Sequence, residues 1–257
     1  MYQLNSNSIT LTIIQHLDGG LFSVNIALNS YENDFEGGGT FLERLISNDY
    51  GNDVIQRPCG AGHALIHSST ERHAGAPTTG GIRDILVFFL TTRQGSKATG
   101  IERGHRLKAL INKSPIHVRM NCLKMAIEEN PFDGEAFMWL GFYGMCGNGM
   151  NSSSIERLNE LNASIENLKK AASLSPCCSR VRYFLGKALD ARVKLCAEVS
   201  VDQEFDAKRE KEDAIKQFER CLDIEAEYKR AGCTNDIDEA GVLLRIGDLK
   251  QQLGNKT

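Results

Sequence analysis

The hydrophobic pattern of this 257-residue chain changes near residue 100, so no single architecture fits both halves. In the segment LFSVNIALN, residues 21–29, apolar side chains alternate with polar or small ones. This period of two predicts a β-strand that buries Phe22, Val24, Ile26 and Leu28. The segment IRDILVFFL, residues 82–90, is apolar almost throughout, which is typical of a central strand covered on both faces. Short strands joined by glycine turns, with no long helix between them, predict an antiparallel sandwich or jelly-roll barrel.

From about residue 115 the apolar residues recur at helical spacing, and the sequence contains an internal repeat. LKMAIEENP, residues 123–131, aligns with LKKAASLSP, residues 168–176, and Leu140-Gly141 aligns with Leu185-Gly186 at the same offset of 45 residues. A looser third copy covers 214–228 and 243–249. A helix, a proline turn and a helix with a small residue facing its partner resemble tetratricopeptide (TPR) hairpins, although their usual period is about 34 residues. A plain antiparallel helical bundle is the alternative.

These patterns predict an α+β chain with two domains. Residues 1–100 form the jelly roll, and residues 110–257 form an all-α, TPR-like region. The polar, glycine-containing segment 91–107 is the predicted connection.

Composition excludes several classes of protein. The formal net charge of −3 gives no field that would hold a nucleic acid. The eight cysteines contain no C-x-x-C spacing, which disfavours zinc ribbons and thioredoxin-type redox sites. No apolar run is long enough to predict a membrane span. The N-terminus lacks the pattern of a secretory signal, so the chain as written is expected in the cytoplasm.

The tripeptide His16-Leu17-Asp18 is the first candidate for a chemical site. Side chains two positions apart on a strand project to the same side, so this imidazole and carboxylate can meet one metal ion. His73 lies downstream, and Arg83 follows it by ten residues at the start of an apolar strand. Two histidines and one carboxylate form the facial triad of non-haem Fe(II) oxygenases. The planar guanidinium of a nearby arginine suits a carboxylate partner.

HLDGGLFSVNIALNSYENDFEGGGTFL and GHALIHSSTERHAGAPTTGGIRDILVFFL together resemble the catalytic core of the 2-oxoglutarate and Fe(II)-dependent dioxygenases. The similarity is to the prolyl 4-hydroxylase and procollagen-lysyl hydroxylase branch and covers about residues 11–90. It implies a double-stranded β-helix in which His16, Asp18 and His73 ligate Fe(II). It also implies that Arg83 pairs with the far carboxylate of 2-oxoglutarate, which Asn25 could also touch. His63 and His67 lack the ten-residue spacing to an arginine and are expected on the barrel wall or surface.

The resemblance also implies a reaction. 2-Oxoglutarate and O2 are consumed, succinate and CO2 are released, and a C–H bond of a prolyl or lysyl side chain in a protein or peptide is hydroxylated. Ascorbate is the expected reductant that keeps the iron in its Fe(II) state. The helical repeats are expected to recruit the protein substrate.

Only 15 residues precede His16, whereas the related enzymes have helices and strands there, so the jelly roll is expected to be N-terminally truncated. If the true N-terminus is missing, the endoplasmic reticulum is the alternative compartment. The alternative function is a non-enzymatic interaction protein whose helical repeats bind a partner and whose dioxygenase domain is degenerate.

Overall fold

The computed structural model describes residues 16–18, 21–43, 55–58, 60–69, 71–91, 105, 109, 114–147, 153–199, 205–230 and 237–254. The start of the segment that resembles the dioxygenases, residues 11–15, and most of the predicted connection at 91–107 lie outside these residues. The chain divides into a strand-rich unit, residues 1–100 with 225–236, and a helical unit, residues 101–224 with 237–257. Each unit is described separately below.

The strand-rich unit contains short antiparallel strands, as the sequence predicts. Its described strands are β1 (Phe22–Ala27), β2 (Phe35–Gly37), β3 (Thr40–Leu42), β4 (Ile55–Gln56), β5 (Ala64–Ser68), β6 (His73–Gly75), β7 (Thr78–Gly81) and β8 (Ile85–Leu90). They form three small sheets with the orders β5-β1-β8, β2-β7 and β4-β3-β6. Every pairing within these sheets is antiparallel. Closure into a jelly roll is not established by these three sheets.

Two details of this unit differ from the prediction. The buried face of β1 carries Ser23, Asn25 and Ala27, whereas Phe22 on the opposite face is about half exposed. Strand β8 is at the edge of its sheet among the described strands, and all six of its residues are exposed. The predictions failed because an apolar pattern identifies a strand but does not show which face other parts of the chain cover.

Tight backbone turns occur where β2 leads into β3. Gly37, Gly38 and Gly39 all have positive φ values, of 69°, 65° and 108°. L-residues with a side chain rarely adopt this region, so the glycine triplet is a requirement of the backbone path. The amide of Gly38 donates to the carbonyl of Pro77, and the amide of Ala76 donates to the carbonyl of Gly39. The turn is therefore hydrogen-bonded to the segment between β6 and β7.

The helical unit has helices paired along the chain, as the repeat predicts. Its helices are α1 (Ile116–Glu129), α2 (Gly134–Cys146), α3 (Ser154–Leu174), α4 (Ser179–Val199), α5 (Ala207–Arg230), of which the last turn belongs to the strand-rich unit, and α6 (Glu239–Gly254). Pro131 and Pro176 follow the ends of α1 and α3, where proline's fixed φ and missing N–H oppose another turn. Asp133 caps α2 by accepting the amides of Glu135 and Ala136.

The aligned glycines of the repeat permit close helix packing. A Cβ at Gly141 would lie 2.6 Å from Cγ of Leu168 on the following helix. A Cβ at Gly186 would lie 2.8 Å from the ring of Phe218, which also belongs to the following helix. Both positions therefore place a large apolar side chain against bare backbone, which explains why the repeat preserves a glycine there. No helix of the described segments is both long and apolar enough to cross a membrane.

Candidate metal centre

Antiparallel backbone bonds bring together the three residues that the sequence predicts as metal ligands. His16 and His73 form an isolated antiparallel bridge, in which each amide donates to the other's carbonyl at 3.0 and 3.1 Å. Their ring centroids are consequently 4.5 Å apart. Two residues after His16, the amide of Asp18 donates to the carbonyl of Ser69. This places the carboxylate on the same side as the two imidazoles.

The ligand atoms converge on one point. Nε2 of His73 lies 3.2 Å from Oδ2 of Asp18, and Nε2 of His16 lies 3.6 Å from Oδ1. One ligand atom from each of the three residues lies within 4.8 Å of the others. The side chains of His73 and Asp18 are buried, whereas that of His16 is 45% exposed. The cluster therefore opens towards solvent on the His16 side.

Neighbouring groups orient two of these side chains. The carbonyl of Glu71 lies 2.9 Å from Nδ1 of His73, so it accepts a hydrogen bond from Nδ1–H and leaves Nε2 directed at Asp18. The hydroxyl of Ser23 donates to Asp18. Partners of this kind fix the ligand tautomer and hold a ligating carboxylate in place.

Electrostatics within the cluster favours the ion pair of His73 and Asp18. Burial opposes the charged forms, but the hydrogen bond with His73 and that with Ser23 hold the pKa of Asp18 below its ordinary value. Burial likewise lowers the pKa of His73, yet its bonds with Asp18 and with the Glu71 carbonyl outweigh this and raise it. Both shifts favour a proton shared between His73 and Asp18 in the metal-free protein. A cation that replaces it would release this proton.

The donor set fits a divalent transition metal with open coordination positions. It has two imidazole nitrogens and a carboxylate oxygen, and Nε2 of His73 is held in position by the bond at Nδ1. Such a set binds on one face of the ion and leaves the other positions for small ligands. Among the described residues, this is the group of histidine, cysteine and acidic side chains that has metal-binding geometry.

The other two histidines of the unit occupy different environments. His63 is exposed, and its backbone carbonyl accepts from Ala27. His67 lies on β5, is buried, and packs its ring 4.4 Å from that of His73. Neither belongs to the convergent cluster. Burial is the main reason that the pKa of His67 is lowered, which favours a neutral imidazole beside the site.

Arg83 and Asn25, the residues predicted to contact the co-substrate, lie outside the three-residue cluster. Asn25 shares the buried face of β1 with Ser23, the residue that binds Asp18. Arg83 follows β7 and is partly buried, with Cδ 2.9 Å from the position that a Cβ of Gly38 would occupy. Burial, followed by the charge of Arg57, lowers the pKa of Arg83.

The sequence did not identify three groups at this site. Ser23, the carbonyl of Glu71 and His67 all contact a member of the cluster. A serine in a strand of alternating polarity does not by itself indicate a metal site. A contact made by a backbone carbonyl cannot be predicted from the residue type, because every residue has this group. His67 had a weak signal, because it follows an apolar run on the strand before His73.

The geometry defines a candidate 2-His-1-carboxylate metal centre carried on small antiparallel sheets. Sequence comparison finds relatives that are named as procollagen lysine dioxygenases or hydroxylases. The chain is 40% identical over 81 residues to procollagen-lysine,2-oxoglutarate 5-dioxygenase 1 of Mus musculus, and 42% identical over 77 residues to the multifunctional procollagen lysine hydroxylase and glycosyltransferase LH3 of Homo sapiens. The matches cover 31% and 29% of this chain. A segment of the chain is thus related to the procollagen lysyl hydroxylases.

The chain spans about a tenth of the length of these relatives, 10% in both cases. No protein-family model matches the chain.

Comparison of structures finds distant helical neighbours. The first TPR of Spaghetti (RPAP3) bound to an HSP90 peptide is 14% identical, with a TM-score of 0.39, and covers 62% of this chain and 94% of its own. MamA is 15% identical, with a TM-score of 0.32, and covers 61% of this chain and 80% of its own.

Proposed function

We propose that this chain is an Fe(II) and 2-oxoglutarate-dependent dioxygenase that hydroxylates a peptidyl side chain. The convergence of His16, Asp18 and His73 carries the proposal, because all three ligand atoms lie within 4.8 Å of one another. The sequence relation to procollagen lysyl hydroxylases supports it and favours a lysyl over a prolyl substrate. On this proposal the three sheets are parts of a double-stranded β-helix within residues 1–100.

His16, Asp18 and His73 would hold Fe(II), with Ser23 and the Glu71 carbonyl holding two of them in position. When bound, Fe(II) with 2-oxoglutarate and O2 supplies the oxidising power for C–H hydroxylation, with succinate and CO2 as products and ascorbate as the reductant of stray Fe(III). Arg83 would pair with the far carboxylate of 2-oxoglutarate, and Asn25 would contact the co-substrate from β1. The exposed side of His16 leaves a route for a peptide side chain.

The helical region, residues 110–257, would recruit the protein or peptide substrate in the manner of TPR hairpins. The glycine positions that admit Leu168 and Phe218 are consistent with stacked hairpins. Stacked hairpins expose an extended surface suited to peptides.

Anaerobic titration with Fe(II) and 2-oxoglutarate tests the proposal in the full chain. We expect a weak visible charge-transfer band from the ternary complex in the wild type. His73→Ala and Arg83→Ala should both lose it under conditions where wild type is saturated. His63→Ala is the matched control, because this histidine is exposed and outside the cluster, and it should keep the band.

Absence of the band from folded wild-type protein would contradict the enzyme proposal. The helical interaction protein with a degenerate dioxygenase domain would then be the better description. A band that survives His73→Ala would instead show that the iron binds elsewhere.

A further inference from the structure

The glycine triplet between β2 and β3 accommodates the stems of two arginines. A Cβ at Gly38 would lie 2.9 Å from Cδ of Arg83. A Cβ at Gly39 would lie 2.5 Å from Ile55 and 2.9 Å from Cγ of Arg57. Neither stem could keep its present path over a residue with a side chain. The triplet thus brings Arg57 and Arg83 over consecutive residues of one turn.

Arg57 is held in this position from two sides. It directly follows β4, whose Gln56 pairs with Thr40 immediately after the triplet. Its Nε donates to the carbonyl of Gly37, and its guanidinium lies 5.4 Å from the ring centroid of Tyr31. A cation over an aromatic face is attracted by the ring quadrupole and loses freedom to turn away.

The positive charges of Arg83 and Arg57 favour binding of an anion. Arg83 makes no ion pair or hydrogen bond to an acidic side chain in the described part of the strand-rich unit, although it is partly buried. Arg57 is close enough that its positive charge disfavours that of Arg83. The desolvated guanidinium of Arg83, with the positive charge of Arg57 nearby, is unfavourable until a negative charge lies against it.

The sheet β4-β3-β6 relates the arginine pair to the metal cluster. Leu42 of β3 pairs with His73, and Gly39 precedes Leu42 by three residues. Three residues of extended strand span about 10 Å. The glycine turn that the two arginine stems cross therefore lies about 10 Å along β3 from the residue that pairs with His73.

We propose that Arg57 and Arg83 together bind the distal carboxylate of a 2-oxo dicarboxylic acid, and that Arg57 is the residue that makes the site select a dianion over a 2-oxo monocarboxylic acid. This inference rests on the proposed function and adds a second arginine to it. Both guanidinium groups can donate charge-assisted hydrogen bonds to one carboxylate. A monocarboxylic acid would not supply this carboxylate.

Isothermal titration calorimetry of the full chain, loaded anaerobically with Mn(II), tests the inference without turnover. The two probes are 2-oxoglutarate and 2-oxopentanoate, which has the same chain without the distal carboxylate. Arg57→Gln should weaken 2-oxoglutarate binding about tenfold, the scale of one charge-assisted interaction, and leave 2-oxopentanoate within about twofold. Arg57→Lys keeps the charge and should recover most of the difference. Lys208→Gln, an exposed change of the same charge in α5, should alter neither.

An equal loss for both probes in Arg57→Gln would overturn the inference, because it would show that Arg57 only supports the fold. Unchanged binding of both probes would overturn it as well. Either result leaves the proposed function intact if wild type binds 2-oxoglutarate.

Titration of metal-free protein with glutarate separates the two proposals. Glutarate has both carboxylates but no 2-oxo group that could chelate a metal. If wild type fails to bind 2-oxoglutarate with Mn(II) but binds glutarate in a manner lost in Arg57→Gln, the dioxygenase proposal falls and the arginine pair stands. If wild type binds none of the three acids, both proposals fall.

Discussion

The two units of the chain bury polar and apolar side chains in different proportions. The helical unit has a core of aliphatic and aromatic residues that runs through five of its helices, with Ile165, Leu168 and Phe218 almost completely buried. The strand-rich unit buries a larger share of polar side chains, among them Ser23 and Asn25 on β1 and His73 of the metal cluster. Buried polar groups cost free energy unless they are paired, so they persist where they hold ligands or do chemistry. On the proposed function, the helical unit contributes mainly stability and surface, and the strand-rich unit contributes the metal centre.

Glycine has a different use in each unit. In the helices, Gly141 and Gly186 have ordinary backbone angles and make room for an apolar side chain of the next helix. In the strand-rich unit, Gly38 and Gly39 have positive φ and make room for arginine stems. The helical glycines allow close packing of an apolar core, whereas the glycines of the turn position charged side chains.

The largest expected change in stability concerns the apolar core of the helical unit. Phe218→Ala removes a ring that is 1% exposed and packs on Gly186. Loss of a buried phenylalanine should lower the free energy of unfolding by about 3–5 kcal/mol. Urea unfolding followed by far-ultraviolet circular dichroism measures it. Leu244→Ala, at a position 73% exposed, should change it by less than about 0.5 kcal/mol. Similar effects of both variants would contradict the assigned core.

A second prediction concerns a buried acid of the strand-rich unit. Burial raises the pKa of Glu43 to about 7, even though Arg72 and Tyr228 of the same unit favour its charged form. A pKa raised above the unfolded value of 4.5 means that this group's contribution is fully present below pH 4.5. It is lost as the pH rises through about 7. The loss from this group should be about 3 kcal/mol.

Glu43→Gln tests this because glutamine does not titrate. The stability of the variant relative to wild type should increase by roughly that amount between pH 4.5 and pH 8, since only wild type pays to ionise the buried acid. Urea unfolding with EDTA present, across this range, provides the measurement. A stability difference that is constant with pH would show that burial does not control this group.

Much of the architecture was accessible from periodicity and spacing. The strand at 22–27, the helices before Pro131 and Pro176, and the convergence of a histidine pair with Asp18 all follow from local pattern or fixed separation. The strand and the helices depend on residues that are neighbours in the sequence. The convergence of the histidine pair with Asp18 depends on one long-range pairing, and the ten-residue spacing from His73 to Arg83 helped to locate it.

The remaining features depend on which strand faces are covered by other segments of the chain. The alternation in β1 predicted an exposed Ser23, yet Ser23 is buried and its hydroxyl donates to Asp18 of the metal cluster. The apolar run of β8 was expected in the sheet centre, yet it is exposed. Arg57 belongs to no recognisable motif, and only the fold brings it to the glycine turn beside Arg83. Polarity in sequence does not distinguish a solvated strand face from the lining of a site.

A third prediction compares two glycines of the strand-rich unit that both have positive φ, of which one lies against an arginine. Gly38→Ala and Gly62→Ala both place a methyl at positive φ, of 65° and 83°. Each should cost about 1–2 kcal/mol of stability. Only Gly38→Ala also meets Arg83, since nothing lies within 4 Å of a Cβ at Gly62.

The two alanine variants should therefore differ mainly in ligand binding. Calorimetry with Mn(II) should show 2-oxoglutarate affinity about tenfold lower in Gly38→Ala, through displacement of the arginine, and unchanged in Gly62→Ala. Equal 2-oxoglutarate affinities in the two variants would contradict the proposal that the glycine triplet positions Arg83.

The smallest effect compares two glycines of the repeat within the helical unit. Alanine favours a helix over glycine by about 1 kcal/mol, so each substitution gains this much from the backbone alone. At Gly186 the new methyl lies 2.8 Å from the ring of Phe218, and the resulting overpacking costs about 1–3 kcal/mol. At Gly247, a glycine within the third copy, nothing lies within 4 Å of the position of a Cβ. Gly186→Ala should thus lower the stability by up to about 2 kcal/mol, whereas Gly247→Ala should raise it by up to about 1 kcal/mol. Thermal unfolding of the two variants beside wild type gives the sign directly. A rise in both would mean that Phe218 moves aside without cost, and the glycine of the second copy would then not be needed for helix packing.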